Sequence, residues 1–265
     1  MILCNLPNNE ITVPLLRLCQ IQLDGLKKVL SNEIHTGCKS LPLFWLDRFT
    51  AIFRTIKIRN LSVNQHPCQP VVELVWPALS TCLRKYQDDA KIIESCCRAL
   101  RFVLRCTEKY SQTILIDVVN TIVSSYQSNH FSCFLYLGSI LVDIYGTEDS
   151  FKSGLIEMMQ AFTKDAFDFI IKNCQSVENI DELRKHPDTI DDMFRLSLRF
   201  LQRCPYEFIN SPIFSPIMLL AVTSLNLDHR DANLSVTKFL SEFIALSHKP
   251  QIKVSAILLR LFITY

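Results

Sequence analysis

Apolar residues recur at helical spacing along nearly the whole chain, and this limits what it can fold into. Residues 11–30 carry Leu15, Leu16, Leu18, Ile21, Leu23, Leu26, Val29 and Leu30, and 43–59 carry Phe44, Trp45, Leu46, Phe49, Ile52, Phe53 and Ile56. Steps of three and four residues align side chains on one face of an α-helix, whereas a half-buried strand needs strict alternation. The same spacing predicts helices over 70–85, 90–107, 111–125, 129–145, 147–173, 187–203, 212–226 and 229–247. Residues 176–186 read as a charged connector. Pro70 and Pro187 suit first helical turns, and Asp88-Asp89 and Asp228 suit N-caps. Pro77 predicts a kink, and Lys164-Asp165 predicts a break in 147–173. Only 5 of the 265 residues are glycine, so tight hairpins and glycine-rich phosphate loops are poorly supplied.

Helix pairs begin near Pro70, Ser111 and Thr147, with a longer interval to Pro212. The period of about 40 residues is that of HEAT-type repeats. Each pair is apolar on too wide a face to stand alone, and stacking neighbours buries it. The expected fold is all-α: a right-handed superhelical α-solenoid of HEAT-type helix pairs, with a compact helical bundle as the alternative. Residues 1–10 read as an irregular start, 11–248 as the repeat array, and 249–265 as a divergent helical end. The array shows no polar cap at either end, so the chain is expected to be an excerpt of a longer one.

One helix stands out by its charges. Over 187–203, Arg195, Arg199 and Arg203 recur every four residues and share roughly 80° of helical arc. Asp191 is placed to pair with Arg195, while Arg199 has no carboxylate three or four residues away. Like charges at this spacing cost a helix about 0.2–0.5 kcal/mol per pair. Either the stripe is a solvated face helped by the helix dipole, or it is a set of guanidinium forks for phosphates or carboxylates. A second stripe, Arg98, Arg101 and Arg105, lies within roughly 60° of arc, with Glu94 and Glu108 placed to pair with Arg98 and Arg105. Both stripes fall on second helices of their pairs, which stack along one surface of a solenoid. Arg98, Arg101 and Arg105 are therefore a second anion-binding candidate.

Other chemistries find little footing. A net charge of +2 is too small for a polyanion binder held by bulk charge. Eleven cysteines lie mostly in apolar helical stripes without any C-x-x-C, and read as reduced thiols. The histidines are scattered, and no zinc spacing occurs. His229-Arg230-Asp231 resembles the start of a kinase catalytic loop, but Val236 stands where the magnesium-binding Asn belongs and no other kinase motif is present. No G-x-S-x-G occurs, and the paired carboxylates Asp88-Asp89 and Asp191-Asp192 are placed as helix-start residues. Neither an enzyme nor a metal or cofactor is expected. Residues 1–4 lack a basic targeting segment, and the most apolar run, 133–142, falls far short of the ~20 residues a membrane helix needs.

Four strings, residues 15–30 (LLRLCQIQLDGLKKVL), 132–143 (SCFLYLGSILVD), 186–195 (HPDTIDDMFR) and 227–233 (LDHRDAN), resemble in order the transportin-SR (transportin-3) family of the importin-β superfamily. The resemblance spans about 11–248. It implies a HEAT-repeat superhelix that carries splicing factors and other proteins with phosphorylated arginine/serine-rich (RS) domains into the nucleus. It also implies cargo release by Ran-GTP, nucleoporins as further partners, no membrane association, and shuttling between cytoplasm and nucleus. The family's arginine-rich cargo helix is matched by Arg195, Arg199 and Arg203. Family members are several times longer, and the amino-terminal repeats that chiefly engage Ran-GTP lie outside this sequence. Ran-driven release is therefore not expected of this chain alone. Residues 251–265 depart from the family pattern. Outside the resemblance, the residues also fit a helical-repeat scaffold, or an RNA-binding face on which few aromatics interleave with the arginines.

Overall fold

The computed structural model describes residues 10–31, 41–56, 58, 66–171 and 180–247. Their regular elements are helices joined by turns and short linkers, with no strand among the described residues. The all-α expectation therefore holds. The chain divides into two compact units, Met1–Asn129 and His130–Tyr265.

The first unit holds α1 (Thr12–Leu30), α2 (Leu41–Thr55), α3 (Gln69–Lys85), α4 (Ala90–Thr107), a 3-10 turn (Glu108–Ser111) and α5 (Gln112–Asn129). Helices α1, α3 and α5 pack in succession, α2 packs on α4, and α1–α2 and α3–α4 close the pairs. Local chemistry sets the ends. The Asp89 carboxylate accepts from the backbone N–H of Lys91 (3.1 Å) and Ile92 (3.2 Å), capping α4 as expected. Pro70 sits in the first turn of α3, and the helix continues through Pro77. The Trp76 indole donates to Asp117 of α5 at 2.6 Å, tying α3 to α5.

The second unit holds α6 (Cys133–Tyr145), α7 (Asp149–Ile171), α8 (Ile180–Leu183), α9 (Pro187–Arg203), α10 (Pro205–Ile209), α11 (Phe214–Ser224) and α12 (Arg230–Ser247). Helix α9 lies between α6 and α12, while α7 packs on α6 and α10, and α11 on α8 and α12. The second helices of three successive pairs thus stand side by side, as a solenoid requires.

Several expectations need correction. Helix α7 runs through Lys164-Asp165 without the expected break, because Phe162 and Ala166 keep its buried face continuous. The connector 176–186 contains the short helix α8. Pro205 ends α9 but also opens α10, since proline suits a first helical turn. Asp228 does not act as the expected cap: its carboxylate lies 3.6 Å from Arg184, and the His229 ring nitrogen Nδ1 accepts from the Ala232 N–H at 3.4 Å. Asp191-Asp192 do not start α9, which begins at Pro187. Of the expected segment 1–10 only Glu10 is described, as an exposed turn residue, and 249–265 lie outside the described residues. Eight described cysteines carry free thiols, six of them buried.

Candidate functional site

Helix α9 has two sharply different faces. Ile190, Met193, Phe194, Leu196, Phe200 and Leu201 are buried, with the Phe194 ring 5.3 Å from Phe239 of α12. Leu198 is half-buried. The other face carries Arg195, Arg199 and Arg203, which the structure brings together as the spacing predicts.

Each arginine meets a different partner. Arg195 Nε donates to Asp191 Oδ1 at 2.9 Å and lies 3.8 Å from Asp192 Oδ1. Asp191 also accepts from the Ser235 hydroxyl of α12. Arg203 Nε and Nη2 both donate to Asp143 Oδ1 of α6, at 2.9 and 2.6 Å. Arg199 Nη1 donates to the amide oxygen of Gln202 at 2.7 Å, and no carboxylate is within ion-pair distance of it among the described residues. The guanidinium side chains of Arg195 and Arg203 remain 46% and 41% exposed.

Asp143 was not legible as a partner, because it lies 60 residues from Arg203. Gly146 makes the pairing possible. A Cβ there would sit 2.7 Å from the Arg203 Cβ and 2.6 Å from the Val142 carbonyl oxygen, so only glycine lets α9 approach the end of α6 this closely.

Asp192 sits under Arg195. Burial pushes its carboxyl up to about 7; the Ser132 hydrogen bond and Arg195 pull it down, and Asp191 and Asp188 push it up. The Asp191 bond makes Arg195 hold its own proton more tightly than usual.

The other stripe belongs to the first unit. On α4, Arg98 Nη2 donates to Glu94 at 3.3 Å. The Arg101 guanidinium lies 4.5 Å from the centroid of the Phe102 ring, and Arg54 of α2 shares that ring at 6.0 Å. Arg105 is exposed and has no ion-pair partner among the described residues. Sequence reasoning missed Arg54 and Phe102 as parts of this surface. The available signal was that α2 and α4 are second helices of successive pairs. No group of three or more His, Cys, Asp or Glu among the described residues is placed to hold a metal ion.

Residues 66–170 match the model of the Transportin-3/Importin-13 fourth TPR domain. The chain is 28% identical over 252 residues to Transportin MOS14 of Arabidopsis thaliana, covering 93% of this chain and 24% of that protein. Over 212 residues it is 25% identical to mRNA transport regulator MTR10 of Saccharomyces cerevisiae, covering 77% of this chain and 22% of that protein. These matches support the importin-β family. The relatives are karyopherin transport receptors, which are not enzymes. The fold is similar to that of a solved structure, "Importin13 cytosolic state", with a TM-score of 0.74 and 15% identity over 92% of this chain and 28% of that one. Importin-13 is a helical solenoid, in keeping with the fold read from the repeat period. The chain spans about a quarter of the length of the curated relatives, 24% and 22%. The matched domain model includes the α4 stripe and ends before α9. No described helix is long and apolar enough to cross a membrane.

Proposed function

We propose that this chain supplies part of the cargo surface of a transportin-SR-type nuclear import receptor and binds phosphorylated RS segments, such as those of splicing factors, without catalysis. The arginine face of α9 carries this reading: exposed Arg195 and Arg203 flank half-buried Arg199 on one stripe, opposite a buried apolar face. Arg98, Arg101 and Arg105 of α4 form a second anion-binding face, extended by Arg54. A phosphoserine brings about −1.5 to −2 charges and three acceptor oxygens, and a guanidinium fork meets such a group with two parallel bonds. Affinity built this way falls with added salt. Similarity to a transportin and to an mRNA transport regulator supports the import reading. Ran-GTP and nucleoporins are partners of the full-length receptor in this reading, which shuttles between cytoplasm and nucleus. Ran-driven release is not assigned to this chain alone.

A second reading is favoured by the carboxylates. Asp191, Asp192 and Asp143 engage Arg195 and Arg203, as they would in a helical-repeat scaffold whose arginines only join helices. Binding of a phosphorylated and an unphosphorylated RS peptide separates the two. It is measured on the parent chain, on Arg195→Ala/Arg199→Ala/Arg203→Ala and on Arg98→Ala/Arg101→Ala/Arg105→Ala. Cargo binding predicts phosphate-dependent affinity that falls about tenfold or more in at least one triple variant. Equal binding of both peptides by all three proteins would leave only the scaffold. Tighter binding of single-stranded RNA that is lost in the α4 variant would point instead to base stacking on Phe102.

A further inference from the structure

Helices α6 and α9 run alongside each other in a fixed register. Asp143 on α6 holds Arg203 on α9, 60 residues further on. The same interval separates Ser132 from Asp192, which are joined by the serine hydroxyl. Carried to the middle of the seam, this register sets Ser139 opposite Arg199. Ser139 is buried, and its hydroxyl is turned back to the Tyr136 carbonyl at 2.6 Å. On the α12 side, Asp191 is matched to Ser235 at an interval of 44 residues, which sets the buried Phe243 beside Arg199. Neither neighbour offers Arg199 a carboxylate. Its one hydrogen-bond partner among the described residues is the Gln202 amide, which is neutral, exposed and on the same helix, so an incoming anion can displace it.

The flanking arginines are fastened. Arg195 is held by Asp191, itself tied to α12, and stands over Asp192, itself tied to α6. Arg203 gives two N–H groups to one oxygen of Asp143. Each arginine keeps N–H groups that its carboxylate does not use, but its charge is already offset, so an incoming anion meets a carboxylate beside the guanidinium.

We propose that the α9 face binds one anionic group at a time, on the Arg199 fork, and that Asp143 is an internal competitor that withholds Arg203 from ligand. Arg195 and Arg203 are then positioning residues that hold α6, α9 and α12 around the open fork. This deepens the cargo reading and rests on it: α9 reads a single phosphoserine, or an equivalent dianion, within a longer segment.

The test uses the full chain carrying Arg98→Ala/Arg101→Ala/Arg105→Ala, so that α4 does not mask α9. Affinities are measured by fluorescence anisotropy for two peptide series, one RS and one arginine-free, each with one or two phosphoserines. Arg199→Gln is expected to weaken binding about tenfold or more, and Arg203→Gln less than about twofold. Asp143→Asn is expected to strengthen binding of the doubly phosphorylated peptides by about three- to tenfold, and of the singly phosphorylated ones much less, because it releases a second fork. A gain of affinity cannot come from misfolding. If Arg203→Gln harms as much as Arg199→Gln, or Asp143→Asn gives no gain, the single-fork proposal is overturned while phosphate-dependent cargo binding stands. If the arginine-free series follows the expected pattern and the RS series ignores phosphorylation, the fork is upheld and the RS reading falls. Loss of all binding in this background, with binding kept by the parent chain, removes α9 as a ligand face and leaves α4 as the cargo surface.

Discussion

Helices α4 and α9 each carry three arginines on one face, yet the two stripes meet different surroundings. On α9 the outer arginines reach carboxylates, one pair within the helix and one from α6. On α4 a carboxylate meets Arg98, while Arg101 and the neighbouring Arg54 gather at Phe102. The apolar support differs as well: Phe194 lies wholly inside the α6–α9–α12 layer, and Phe102 is half-buried among cations. A stripe of like charge therefore marks a helix face without fixing how much of its charge is left for a ligand. That depends on the neighbouring helix, whose residues are far away in sequence.

The largest effect that would sharpen this contrast is on stability. Phe194→Ala is expected to cost about 3–5 kcal/mol, as for a large aromatic removed from a packed core. Phe102→Ala is expected to cost about 1 kcal/mol, the centre of the range for single substitutions. Urea denaturation of both variants checks this, and equal losses would make Phe102 a core residue rather than a partner of surface arginines.

Next comes pH. Burial lifts Asp192 from its ordinary value of 3.8 to about 7, so the folded chain keeps a proton that the unfolded chain releases. The stability this proton contributes is complete in acid, declines as pH rises between about 4 and 7, and is gone above that. Asp192→Asn removes the dependence. It is expected to exceed the parent chain in stability at pH 8 by on the order of 1–3 kcal/mol and to match it near pH 4. Denaturation midpoints at several pH values measure the difference, and parallel curves for the two proteins would contradict it.

A smaller effect separates two glycines. Gly146→Ala drives a methyl into Arg203 and the Val142 carbonyl and is expected to cost about 1–3 kcal/mol, with Arg203 displaced from Asp143. Gly154, inside α7, has nothing within 4 Å of an added Cβ, so Gly154→Ala is expected to stabilise by about 0.5–1 kcal/mol. Thermal unfolding of the pair tests whether crowding at the α6–α9 seam, rather than helix propensity, governs Gly146.

The bounds of α4 and α9 were legible because their signals are local. Asp89 and Pro187 mark the starts, and apolar spacing carries each helix to its end. The Asp191–Arg195 pair was legible for the same reason, being four residues apart. Asp143, Arg54 and Phe102 were not, because their roles arise when separate helices pack. Helix α10 was hidden by Pro205, which ends one helix and begins another within a residue. The His229 cap was hidden because Asp228 is the commoner capping residue and here is drawn to Arg184. The repeat period and the four family-like strings conveyed the class of fold, but not which charges each helix takes from its neighbour.

Phenyl rings join the later helices in a line. Phe200 of α9 lies 5.2 Å from Phe208 of α10, Phe208 lies 5.3 Å from Phe214 of α11, and Phe214 lies 5.3 Å from Phe243 of α12. Opening any one of these helices uncovers a ring that belongs to the next. Amide protons from α9 to α12 should therefore exchange with solvent in one cooperative event rather than helix by helix. The arginine face of α9 would then be lost or kept together with the whole terminal half of its unit.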